Sequence, residues 1–406
     1  MLINNRFKLT LYINYFVYAV LLNSVGIIIL KSINLYGVSK VEASNLEFFK
    51  DSSIAIVSFT IASLLPRVGY KNSMMIALAL VIVAMINMYW FNDFLSAKIL
   101  FAIIGASFAF IKISVYASVG ILTDSVRSHN GLMSSIEGVF MFGIAASYFL
   151  FPAFNDASDV NAWLNVYIFL SATCLASILF LATVPNIKGE IVSGGITAEI
   201  KSMFGLISQS LFAVFVISAF LFVMIEQGIM TWLPTFNREV LHIDEDNSIR
   251  LASILALSLG FGRLLAGKIT EFVDWSTVLT VSILCAMAIV CFVLPKTLNS
   301  DLDSNSIVIF GIPLIGFIFP LVGIFIGPIY PLLNSAVLSS LPKPMHSSMA
   351  ALIIISSALG GTLGSRITAF LFETLEGGAF YFNILPMTLL LISVQWLRGL
   401  TSKSQP

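Results

Sequence analysis

Apolar residues run along the chain in twelve stretches of at least about 17 residues, the length a helix needs to cross the hydrocarbon core of a bilayer. Their approximate spans are 9–30, 45–65, 73–91, 97–122, 131–152, 162–184, 206–235, 248–269, 276–295, 307–338, 347–374 and 379–398. Short polar segments separate them. The connection between the sixth and seventh, 185–205, carries Gly189, Gly194, Gly195, Lys188, Glu190 and Glu199, which is linker chemistry with little apolar surface. The pattern predicts an all-α integral membrane protein of twelve transmembrane helices in two six-helix bundles: residues 1–184, a cytoplasmic linker over 185–205, and residues 206–406. No extramembrane segment is long enough to fold alone, so function must lie among the helices.

Composition agrees with this class. The 406 residues are 58% hydrophobic and 10% charged, against about 25% charged in soluble domains. Arg6 and Lys8 precede the first apolar run as in a secretory signal, but that run is too long for a signal core and lacks a small-residue cleavage site. Lys and Arg in short loops favour one side. With the N-terminus in the cytoplasm, Arg6, Lys8, Arg67, Lys71, Arg127, Lys188, Lys201, Arg263, Lys268, Lys343, Arg398 and Lys403 lie inside, and fewer lie outside. Both termini are therefore expected in the cytoplasm. A net charge of zero gives no sign of a nucleic-acid partner, and the partners expected are the lipid bilayer, a small-molecule substrate and protons, around a monomer. Cys174, Cys285 and Cys291 all fall in apolar spans and imply neither a disulfide framework nor a metal site. His129, His242 and His346 are loop residues far apart in sequence, so no metal is expected. Neither a Walker sequence nor a Ser/His/Asp set is apparent; no cofactor and no enzymatic activity are expected.

Charges inside the spans change the picture most. An ionised side chain at the bilayer centre costs at least about 2.5–3.5 kcal/mol, so it is kept for a reason. Lys112 lies in the fourth span and Glu137 in the fifth. With a rise of about 1.5 Å per residue, both sit roughly 15 Å from the loop that joins the spans, near the midplane. Two readings are open: a substrate-binding and proton-coupling pair, or a static pair joining two helices. Lys112 in a cavity favours a solute with an anionic group, and protonation of Glu137 would change the charge of the site. Glu226, followed by Gln227 and Gly228 in the seventh span, is either a second coupling or substrate group or is paired with Arg366 as structural glue. Glu47, Lys50 and Asp51 share one face of the second span. Weaker candidates for hydrogen bonds to a polar solute are Tyr12, Asn14, Tyr15, Tyr18 and Asn23 in the first span, Tyr116 one turn from Lys112, and Asn334 in the tenth. Such residues also serve as packing contacts between helices. Gly360, Gly361 and Gly364 read as close helix packing.

Local sequence then adds a resemblance. Ala62-Ser-Leu-Leu-Pro-Arg-Val-Gly-Tyr-Lys71 resembles the loop motif after the second span of the major facilitator superfamily, with Arg67, Gly69 and Lys71 matching and Pro66 at the acidic position. Gly262-Arg263 with Gly267-Lys-Ile-Thr-Glu271 resembles its copy in the second half, Glu271 being the acid. Val38 to Ser44, Gly323 to Leu333 and Ser347 to Gly364 resemble the branch of bacterial fucose–proton symporters, over nearly the whole chain at low similarity. The resemblance implies the major facilitator fold and a secondary active transporter in the bacterial inner membrane. It implies a sugar-like or organic-anion substrate moved by alternating access, in symport with protons. It places Lys112 where that branch carries a coupling acid, and it brings the second and eleventh spans together. An outer gate from Arg366 to Asp51 or Glu47 is therefore a further expectation, beside charges that simply reach the interface. A proton-driven exporter of drugs or metabolites, and a lipid-type carrier, share the topology.

Overall fold

In lipid, a lone segment can satisfy its own N–H and C=O groups only as a helix, and the chain follows that constraint almost throughout. The computed structural model describes residues 2–61, 65–122, 126–184, 205, 208–295, 308–309, 312–338 and 346–404. The expected linker before residue 205, with Lys188 and Lys201, lies outside the described residues, as does Lys343.

Eleven described helical segments are long and apolar enough to cross a membrane. The second expected span is the remaining one, a 17-residue helix over Asn45–Ile61. The chain forms two compact units, one of Met1–Gly37 with Leu46–Ile196 and one of Val38–Asn45 with Thr197–Pro406.

The first unit contains α1 (Leu2–Asn23) and α2 (Val25–Tyr36), which together make the first span. It also holds α4 (Asn45–Ile61), α5 (Leu65–Val68), α6 (Tyr70–Phe91), α7 (Phe94–Leu122), α8 (Val126–Ala153) and α9 (Asn165–Ala182). Between α2 and α4 lies the one-turn α3 (Lys40–Ala43), which belongs to the second unit. Helix α1 packs on α8, α9 and α7, and α6 packs on α7 and α9. Asn14 pins three of these helices together: its carboxamide oxygen accepts from Ser177 Oγ at 2.6 Å, and its nitrogen points at Met74 Sδ, 3.6 Å away. Gly69 begins α6 at φ +90°, a backbone that suits only glycine. Lys71, two residues on, donates to the carbonyl oxygens of Ala182 and Val184, placing a cation at the C-terminal end of α9.

The second unit is built on α10 (Ser210–Glu239), α11 (Glu245–Ile269) and α12 (Trp275–Val293). A hairpin of β1 (Val308–Ile309) and β2 (Ile312–Pro313) follows, then α13 (Ile315–Ile318), α14 (Val322–Ile326), α15 (Ile329–Leu338), α16 (His346–Leu375) and α17 (Ile384–Ser404). The main packing is of α10 on α16. There a Cβ on Gly360 would lie 2.3 Å from Phe220 O, and one on Gly364 would lie 2.3 Å from Met224 O. The Gly-xxx-Gly spacing thus lets two backbones touch, as the sequence pattern predicts.

The tenth span departs from expectation. Sequence reads one apolar run over 307–338, but the helix begins only at Ile315 and is interrupted at Phe319–Leu321 and again around Gly327-Pro328. Pro320 and Pro328 supply no backbone N–H, so a continuous ladder is not available there.

Candidate functional site

Helix α7 carries Phe108, Lys112 and Tyr116 at successive intervals of four, so their side chains form one line along the helix. Lys112 Nζ lies 5.8 Å from the Phe108 ring centroid and 5.9 Å from that of Tyr116. Tyr116 Oη donates to Glu137 Oε1 of α8 at 2.7 Å. Among the described residues Lys112 and Glu137 form no ion pair; Tyr116 touches both, its ring beneath the ammonium group and its hydroxyl on the carboxylate. Lys112 is half-buried, whereas Tyr116 and Glu137 are exposed. At membrane depth an exposed carboxylate faces water or protein, not lipid tails.

Aromatic rings wall this group. The Tyr15 ring of α1 lies 5.6 Å from Phe140 and 6.4 Å from Phe108 and Tyr116, and Phe108 lies 5.9 Å from Phe140. Tyr15 and Tyr18 are buried, the Tyr15 hydroxyl beside that of Tyr116 and the Tyr18 hydroxyl beside Ser107. Sequence alone singled out Lys112, Glu137 and Tyr116 but missed Phe108 and Phe140. The four-residue spacing of Phe108 before Lys112 was the available signal.

Glu226 of α10 is paired with Arg263 of α11, Nη2 to Oε1 at 3.0 Å, both half-buried. Arg366 is therefore not its partner. Arg263 was read as part of the second loop motif, yet Gly262, Arg263 and Gly267 all lie within α11, with only Glu271 beyond its end. Beside the pair, Phe222 stacks on Tyr330 at 5.5 Å, and one turn along α15 the oxygen of Asn334 has no hydrogen-bond partner among the described residues.

The remaining candidates have local partners. Glu47, Lys50 and Asp51 are all buried in α4; Lys50 bonds Glu47 closely and lies 3.6 Å from Asp51 Oδ1. Arg366 donates to Asn45 Oδ1 at 2.7 Å. The residues expected at an outer gate thus engage Lys50 and Asn45 respectively. Asn45 is the last residue of a segment docked on the second unit, where Val41 N–H donates to Glu373 at 3.1 Å and Lys40 pairs with Glu239 at 3.0 Å. Asn23 turns back to donate to Ala19 O at 2.9 Å, and Asn14 is taken up by Ser177 and Met74. Among the described residues no group of three or more His, Cys, Asp and Glu is placed to hold a metal ion.

The sequence profile of the Major Facilitator Superfamily matches residues 11–365. The chain belongs to this superfamily. No curated protein sequence matches this facilitator. Among solved structures, a POT family transporter in complex with a thioalcohol-conjugated peptide superposes with a TM-score of 0.74 at 13% identity, covering 99% of this chain and 97% of that one. A nucleoside transporter gives 0.73 at 14% identity, covering 97% and 99%. The fucose:proton symporter of E. coli gives 0.62 at 13% identity, covering 96% and 98%. At these identities the likeness is one of fold: the facilitator is a multi-pass membrane transporter of twelve helices, similar in architecture to carriers of several unlike solutes.

Proposed function

We propose that this facilitator is a secondary active transporter that moves a small polar organic solute across the bacterial inner membrane by alternating access, in symport with protons. The solute bears an acidic group, as an organic anion or a sugar acid does. The observation that carries the reading is Lys112: a cation at membrane depth, against two aromatic faces, with no carboxylate on it among the described residues. A buried cation without a counter-ion is costly, and an anionic solute supplies one. Glu137, held by Tyr116, is the acid whose protonation would change the charge beside that solute, and Glu226 is the second candidate proton carrier. Asn23 and Asn334 stand as lesser solute contacts. The excess of Lys and Arg on one side supports cytoplasmic termini, and the reading takes the carrier to act as a monomer.

The test is uptake of a panel of sugars, sugar acids and carboxylates into proteoliposomes under an imposed pH gradient. At least one should accumulate in a saturable, gradient-dependent way, and Lys112→Ala should lose it. Uptake that ignores the gradient, or an unimpaired Lys112→Ala protein, would count against the reading.

A further inference from the structure

We infer that the Lys112–Tyr116–Glu137 group is built for a zwitterion, a solute carrying one carboxylate and one ammonium group on a compact apolar or aromatic body. The inference rests on the transporter reading above and narrows its substrate class.

The fixed charges of the site sum to zero, yet they do not neutralise each other. Among the described residues Lys112 has ring faces and no carboxylate near its ammonium group, and Glu137 receives a hydrogen bond from Tyr116. Three kinds of solute can be weighed against that arrangement. A neutral solute leaves both charges unpaired once it has displaced their water. A monoanion satisfies Lys112 but brings a second negative charge next to Glu137, and binds well only when Glu137 also holds a proton. A zwitterion satisfies both at once, its carboxylate on the ammonium of Lys112 and its ammonium on the free lone pairs of Glu137.

The surroundings suit the body of such a solute. Tyr116, more than a third exposed, and the half-buried Phe140 offer apolar surface beside the charges, with Tyr15 and Phe108 behind them.

Matched compounds test the charge pattern while holding the carbon skeleton constant. Purified full-length protein in detergent is titrated calorimetrically at pH 7 with alanine, leucine and phenylalanine. The same skeletons are then used without the amine (propionate, 4-methylvalerate, 3-phenylpropionate) and without the carboxylate (ethylamine, isopentylamine, phenethylamine), with a hexose and a hexuronate alongside. In at least one set the zwitterion should bind, and its two monovalent relatives should bind at least about tenfold more weakly, the usual effect of removing a charged hydrogen-bond partner. Glu137→Gln should then shift preference toward the anion, and Lys112→Gln toward the amine, each by about tenfold or more. A uniform loss across all three compounds in both variants would mean a structural role and overturn the inference. If the hexuronate or a bare carboxylate binds as tightly as the zwitterion and is accumulated, the transporter reading stands and the zwitterion is excluded; a hexose that does so excludes the zwitterion and the acidic solute alike. If nothing in the panel binds, the zwitterion is overturned, and the transporter reading is decided separately by the gradient-driven uptake described above.

Discussion

Tyr116 holds the carboxylate of Glu137 by one hydrogen bond at 2.7 Å, so its hydroxyl is the cheapest atom to remove from the site. Tyr116→Phe keeps the ring beside Lys112 and removes the hydroxyl. A hydrogen bond to a charged group contributes about 1.5–3 kcal/mol, so the melting temperature should fall and, with Glu137 no longer held in place, the half-saturating solute concentration in uptake should rise about tenfold or more. Glu137→Gln is expected to abolish proton-driven uptake, measured in proteoliposomes; unchanged coupling would move the proton elsewhere. Lys50 sits between Glu47 and Asp51, and all three are buried. Lys50→Met would leave two carboxylates without their cation. Breaking a buried ion pair from one side costs about 3–5 kcal/mol, so this variant should unfold at markedly lower temperature in detergent, or fail to accumulate. Outside the spans, Asp93 caps the start of α7 by accepting from Ser96 N–H at 2.7 Å. Hydrogen bonds from the Ser96 side chain and backbone hold the Asp93 carboxyl below its usual range. Its stabilising contribution is therefore present at neutral pH and disappears as the pH falls through that lowered value. Asp93→Ala should lower the melting temperature at pH 7, and the difference from wild type should close as the pH falls through that lowered value.

Among elements, the glycine contacts make a sharp prediction. A valine at Gly364 would need space that Met224 O occupies 2.3 Å from where its Cβ must lie. That atom is backbone and cannot swing aside, so Gly364→Val should force α10 and α16 apart and lower thermal stability. Gly267, whose added Cβ meets nothing within 4 Å, is the control: Gly267→Ala should be tolerated. The long spans were legible because apolar run length is a property of sequence alone, and the seventh and eleventh runs appear as α10 and α16 with ends shifted by a few residues. The tenth was legible as a span, Ile315–Asn334, but not its late start or its breaks, because apolar content hides the backbone consequence of proline: Pro320 and Pro328 interrupt the ladder. Partners of buried charges were the least legible. Glu226 and Arg263 are 37 residues apart, and nothing local in either segment announces the other.

At the scale of the molecule, the twelve-span architecture and the superfamily were readable in advance, because bilayer thickness dictates the former and short loop motifs mark the latter. The intramembrane charges were readable too, and they fall in three clusters, around Lys112 and Glu137, Glu226 and Arg263, and Glu47, Lys50 and Asp51. The arrangement around Lys112 was not, because a tyrosine one helical turn from a lysine can pair with that lysine, bridge it to a neighbour, or do neither. The interrupted tenth span has one further consequence, for amide hydrogen exchange. Gly323 and Gly327 press α14 directly onto the backbone of α11, their would-be Cβ atoms lying 2.7 and 2.4 Å from Leu255 O and Leu259 O, so the segment is well seated although its internal hydrogen bonds are broken by 3-10 and proline turns. Deuterium should therefore enter residues 315–330 by small local openings well before it enters α16, whose 30-residue ladder contains no proline and must be unwound from the ends. Protection as strong there as in α16 would mean that the breaks are frozen, and that this span does not lend the transporter any slack.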